Sequence, residues 1–234
     1  GILASKLPQN KFTVDSAGTG VITTGSGNIT LRANDTGTDK VLYINDVITA
    51  LGGAVSLTAD GNVNQTENIT TSTGSISLTS TNANIIMTDT KKSQSTSGGD
   101  ITYSAGNSIQ LSLLNTSGNV NVTATNGSIT DVLSTVLLTE SANILGNALS
   151  LTAKTGIGTS SADIDTTVSW ITISNTTSGD IYIQETDTLA VTSITQSGAG
   201  VVNVIVDNGD ITQNGTISST SGNIVITSTI GNIT

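Results

Sequence analysis

The sequence predicts an all-β fold, a right-handed parallel β-helix (β-solenoid) of about 9–12 coils of roughly 20 residues each. Three observations predict it. A short glycine-led phrase recurs along the chain at a spacing suited to one round of such a coil. Aliphatic residues inside the phrase alternate with polar or small ones, the period of a half-buried strand. The composition suits stacked strands and tight bends: 234 residues with 25 Gly, one Pro, 2% aromatic and 10% charged residues, and 73 Ser or Thr.

The phrase is a Gly, a small polar residue, Ile or Val, any residue, and a second aliphatic. It reads Gly27-Asn28-Ile29-Thr30-Leu31, Gly53-Ala54-Val55-Ser56-Leu57 and Gly74-Ser75-Ile76-Ser77-Leu78. It returns as Gly99-Asp100-Ile101-Thr102-Tyr103, Gly118-Asn119-Val120-Asn121-Val122 and, with one residue inserted, Gly146-Asn147-Ala148-Leu149-Ser150-Leu151. Later copies are Gly179-Asp180-Ile181-Tyr182-Ile183 and Gly222-Asn223-Ile224-Val225-Ile226. The early copies lie 19 to 26 residues apart.

Each copy reads as a strand of three to five residues with its aliphatics on one face. A weaker copy often follows after a bend: Gly53-Ala54-Val55 is answered by Gly61-Asn62-Val63, Gly118-Asn119-Val120 by Gly127-Ser128-Ile129, and Gly222-Asn223-Ile224 by Gly231-Asn232-Ile233. The 61 Ile, Leu and Val residues fill a narrow bore without rings. β-branched Val, Ile and Thr suit strands, while Gly and Asn suit the bends between them. The segment from Val132 to Leu145 is read as a coil with an irregular corner, although a turn of helix also fits it.

Stacked coils make further expectations. The polar residue after each Gly is Asn at 28, 62, 119, 223 and 232 and Asp at 100, 180 and 210. These are expected to line one edge, with side-chain amides bonded to the coil above. The Asp copies are well separated in sequence, as the repulsion of like charges on neighbouring rungs requires. A threonine row is expected from Thr58, Thr79, Thr123, Thr152 and Thr227. Tyr182, between Ile181 and Ile183, should face outward. Trp170 is expected to pack at a corner, the alternative being an exposed sticky spot.

The units Gly74 to Ser80 and Gly118 to Ala124 carry a family resemblance. So does the stretch from Gly156-Ile157-Gly158 through Val168 to Gly179-Asp180-Ile181-Tyr182-Ile183 and Leu189-Ala190-Val191. From about Gly18 onward the chain resembles the β-helix repeat region of filamentous-haemagglutinin-like adhesins and related giant bacterial surface proteins. The resemblance implies an exported, non-catalytic stalk segment, extracellular and at the cell surface. It also implies partners of two kinds: neighbouring repeats or further copies end to end, and a host or surface glycan or protein receptor. The Asn-Pro-Asn-Gly segment of that family's secretion domain does not occur here, which points to shaft rather than cap.

No catalytic, cofactor-binding or metal-ligating residue is expected. With no Cys and no His, thiol nucleophiles, imidazole acid–base chemistry and Cys/His metal sites are excluded. A net charge of −10 repels nucleic acid, and no apolar run is long enough to insert in a membrane as a helix. The remote enzymatic alternative is a carbohydrate-active β-helix, which needs clustered carboxylates beside Arg or Lys. The candidates are Asp35 with Asp39, Asp163 with Asp165, Asp180, Glu185 with Asp187, and Asp207 with Asp210. Arg32 is the one arginine, and each acidic group reads as a solvated turn. The Gly-Gly-x-Gly-x-Asp pattern of calcium rolls is absent, and incidental calcium binding stays open. Seven Thr-x-Thr pairs are what chance predicts for 43 threonines, so ice binding gains no support.

The chain is expected to be one solenoid segment, 1–234, with an irregular start over 1–17. Neither end looks like a cap, and Gly231-Asn232-Ile233-Thr234 breaks off inside the phrase. The expectation is therefore a piece of a longer array. The second reading is a self-assembling subunit of a filament or surface layer.

Overall fold

The computed structural model describes residues 4–6, 12–14, 20–33, 40–133 and 141–234. Parallel strands stack as a β-solenoid of about eight turns spaced about 22 residues apart, with no helix among the described residues. The turns are longer and fewer than the sequence spacing suggests. The reason is that corners take up extra chain: the strand at Val120–Ala124 finds its partner only at Leu149. The irregular corner expected between Val132 and Leu145 falls partly on residues 134–140, outside the described residues.

Three faces surround the core. The first carries the glycine-led phrase as strands Ile29–Ala33, Val55–Ala59, Ile76–Ser80, Ile101–Ala105 and Val120–Ala124, each paired in parallel with the next. The second carries Leu42–Ile44, Val63–Gln65, Ile85–Met87, Ile109–Leu111 and Ile129–Asp131. The third begins with Val21–Thr23, Ile48–Ala50, Ile69–Thr71, Lys92–Ser95 and Leu113–Thr116. Further along, the corner between the third and first faces opens, and single strands of 10, 12 and 8 residues cover both: Ile144–Ala153, Ile164–Asn175 and Leu189–Gln196.

Period-two alternation places the aliphatics in columns. Ile29, Val55, Ile76, Ile101, Val120, Leu149 and Ile171 follow one another in register, and so do Leu31, Leu57, Leu78, Tyr103, Val122, Leu151 and Ile173. All are buried. Each side chain meets its counterpart one coil away, so apolar surface leaves water on every rung.

The glycine of the phrase answers a close approach. A Cβ on Gly53, Gly74 or Gly99 would run into the carbonyl of Gly27, Gly53 or Gly74 in the coil before it. Gly74→Ala is expected to cost at least about 2 kcal/mol. Gly25→Ala, where a Cβ meets nothing within 4 Å, should stay within about 0.5 kcal/mol of the parent. Urea midpoints measure both, and equal midpoints would contradict the close-approach explanation.

The outward positions of the first face form rows of hydroxyls. Thr58, Thr79, Ser104, Thr123, Thr152, Ser174, Thr195 and Ser218 lie in register. Thr227 does not belong to this row, because it pairs with Ile205 on the second face. Tyr182 faces outward between buried Ile181 and Ile183.

The Asn and Asp residues after the glycines also bridge coils, through their oxygens. Asn28 Oδ1 accepts the Ala54 N–H at 2.8 Å, Asp100 Oδ1 that of Asn119 at 2.8 Å, and Asp180 Oδ1 that of Val201 at 2.7 Å. Asn62 and Asp210 do the same for Asn84 and Asn232. An acceptor oxygen is common to both residue types, which is why Asp and Asn interchange. These residues do not line one edge: they precede strands of all three faces, because the same corner chemistry serves each bend.

At the start, Ala4–Lys6 pairs antiparallel with Phe12–Val14, which in turn pairs in parallel with Leu42–Ile44. The antiparallel strand lies at the outer edge of the second face, beside Phe12–Val14.

Candidate functional site

Among the described residues, two ionisable side chains, Tyr103 and Glu185, are fully buried inside the rod. Tyr103 takes a position that aliphatics hold elsewhere in its column. Its phenol donates to Gln65 Oε1 at 2.6 Å and lies 2.7 Å from Ser93 Oγ. Gln65 Nε2 donates in turn to the Lys92 carbonyl at 3.2 Å. Burial pushes the phenol further above its ordinary range. This cluster is enclosed and ties the second and third faces together across the bore.

Glu185 is the other. It ends the strand Ile181–Glu185 at the fifth, inward position, and it is fully buried. The alternation Ile181, Ile183, Glu185 signals this inward placement in the sequence itself, although the acidic side chain reads at first as a turn residue. Its carboxylate accepts the Thr166 hydroxyl at 2.7 Å, the Thr186 N–H at 3.0 Å, the Val168 N–H at 3.2 Å and the Asp187 N–H at 3.3 Å. Burial raises its pKa from 4.5 to about 7, against the opposing pull of these hydrogen bonds.

Next to those backbone partners in the chain lie the two walls of a shallow, open depression. One wall follows Val168 along its strand: Ser169 and Trp170. The other follows Glu185: Asp187, Thr188 and Ala190. The depression encloses about 350 Å³. Ser169 and Trp170 both face solvent, breaking the strand's alternation where it passes from the third face to the first without a loop. Trp170 is 47% exposed rather than packed in the corner, which overturns the expected burial. Its partners in register are Ala148 and Ala190, too small to cover the indole.

The acidic groups singled out in the sequence are engaged separately. Asp35 and Asp39 lie outside the described residues. Asp180 and Asp210 accept backbone N–H groups from the next coil, and Asp207 accepts Gln184 Nε2 at 2.9 Å. The Asp165 N–H donates to Asn143 Oδ1 at 2.9 Å. Among the described residues no three His, Cys, Asp or Glu side chains gather as a metal ion would require. Ion pairs join Lys40 to Asp60 and Lys91 to Glu67, both half-exposed and distant in sequence from the depression. What the depression offers is an aromatic surface, one exposed carboxylate and two hydroxyls, which are groups for stacking and hydrogen bonding.

Compared with protein-family models, curated proteins and solved structures, the chain matched none of them.

Proposed function

We propose that this chain is a non-catalytic shaft segment of an exported bacterial cell-surface adhesin or fibre. The observation that supports this reading is the continuous parallel pairing of the first face from Ile29–Ala33 to Ile217–Ser219, with one register shift between Ile171 and Thr172. Coils spaced about 4.8 Å apart make eight turns a rod of about 40 Å. Backbone hydrogen bonds run along the rod axis and aliphatic columns fill it, so bending or extending it breaks many contacts at once. The backbone groups are engaged in these ladders, which denies proteases an extended segment.

Antibodies raised against the purified chain test this reading. They are expected to label intact producing cells without permeabilisation. Label that appears only after lysis would overturn it. A screen against polysaccharides is expected to release no reducing ends, and a depolymerised product would replace the shaft with catalysis.

A further inference from the structure

We infer that the depression at Trp170 is a binding subsite for one neutral sugar ring of a glycan. The ring would lie against the indole and its hydroxyls would bond to Asp187, Ser169 and Thr188.

Three observations carry this. Trp170 is the sole tryptophan of the chain and stands 47% exposed within a 12-residue strand, where alternation and burial dominate elsewhere. A large aromatic left in water, flanked in register by alanines, presents an apolar surface to a flat partner. Asp187, Thr188 and Ser169 line the same depression as the indole. This is the combination that orients a polyhydroxy ligand: a stacking surface together with directional acceptors and donors.

The walls are also held in place from below. Glu185 accepts the N–H groups of Val168, which precedes Ser169 and Trp170, and of Thr186 and Asp187, so one buried carboxylate ties together the two segments that line the depression. Glu185 is a positioning residue, since it is fully buried and does not reach the depression's surface.

Size and charge define the ligand. A volume of about 350 Å³ is at the low end of the roughly 300–1,000 Å³ usual for small-molecule sites, enough for one ring and part of its neighbour. The exposed Asp187 carboxylate and the net charge of −10 disfavour uronic acids, sialic acids and phosphates. An open site of this kind binds weakly on its own, and repetition along a glycan or among copies multiplies its effect.

The assignment stands whether or not the rod is a shaft, and the chain carries its own reporter. Because Trp170 is the sole tryptophan, fluorescence excited selectively at tryptophan reads this site alone. Neutral hexasaccharides of glucose, mannose and N-acetylglucosamine are titrated to tens of millimolar, with a hexagalacturonate as the acidic comparison. At least one neutral oligosaccharide is expected to give a saturable change in Trp170 emission. Asp187→Ala should weaken it at least tenfold, with an unchanged circular dichroism spectrum. Trp170→Ala, followed by affinity electrophoresis in a gel holding the same glycan, should abolish retardation. Three results would each overturn the assignment: no saturable change with any neutral sugar, a change that survives Asp187→Ala, or hexagalacturonate binding as tightly as the neutral forms.

Discussion

At pH 8 the Glu185→Gln chain is expected to unfold at a distinctly higher urea concentration than the parent, while at pH 5 the two nearly coincide. Glu185 has a pKa raised from 4.5 to about 7 because it is buried, with the nearby Asp187 carboxylate adding to the rise. The folded chain therefore holds this proton more tightly than the unfolded chain does. Its contribution to stability is complete below pH 4.5 and is lost as pH climbs through 7. The full loss is about 3 kcal/mol. Other charged groups near it are Asp165 on the adjoining strand and Asp207, which is engaged by Gln184. Both are carboxylates and cannot offset the cost.

Glutamine reproduces the protonated acid. Its oxygen can accept the Thr186 and Asp187 N–H groups, and its amide can donate to the Thr166 hydroxyl, which turns to the Gln184 carbonyl 3.3 Å away. The difference between the two chains should thus grow from within about 1 kcal/mol at pH 5 to about 3 kcal/mol at pH 8. Urea denaturation at four pH values measures it. A constant offset would show that Glu185 does not titrate between its folded and unfolded values.

Leu78→Ala is expected to cost about 3 kcal/mol. Leu78 is fully buried between Leu57 and Tyr103 in its column, and the neighbouring coils cannot close the gap without breaking their own register. Ser77, one residue away, points outward. Ser77→Ala should change stability by less than about 0.5 kcal/mol. In a solenoid each coil touches chiefly its neighbours, so the damage should be local. Hydrogen exchange is expected to quicken in Val55–Ala59 and Ile101–Ala105 and to stay as it was in Val202–Val206. Equal effects from Leu78→Ala and Ser77→Ala would mean that the inward and outward sets are wrongly placed.

Much of the coil was legible because its information is local. The Gly in Gly74-Ser75-Ile76-Ser77-Leu78 marks a bend where no Cβ fits, and the alternation after it names the buried face. The threonine row was legible only in part. Thr58, Thr79, Thr123 and Thr152 follow the phrase on the first face, but Thr227 follows the same phrase on the second. A strand motif says which side of its own strand is buried; it does not say which face of the rod that strand belongs to.

The candidate site was less legible still. Trp170 and Asp187 are separated by 17 positions and share no motif. They meet because the strand at Ile164–Asn175 opens the corner between two faces and the next coil returns beneath it. Exposure of Trp170 depends on its neighbours being Ala148 and Ala190, a fact of register across three coils.

By itself the sequence determined that this chain winds as stacked parallel strands around an aliphatic bore, since period and glycine spacing act within a few residues. Only the tertiary structure decided which outward side chains gather and which carboxylate lies buried beneath them. Coil length varies along the rod, so vertical neighbours are set by how the coils pack, and no fixed spacing in the chain encodes them.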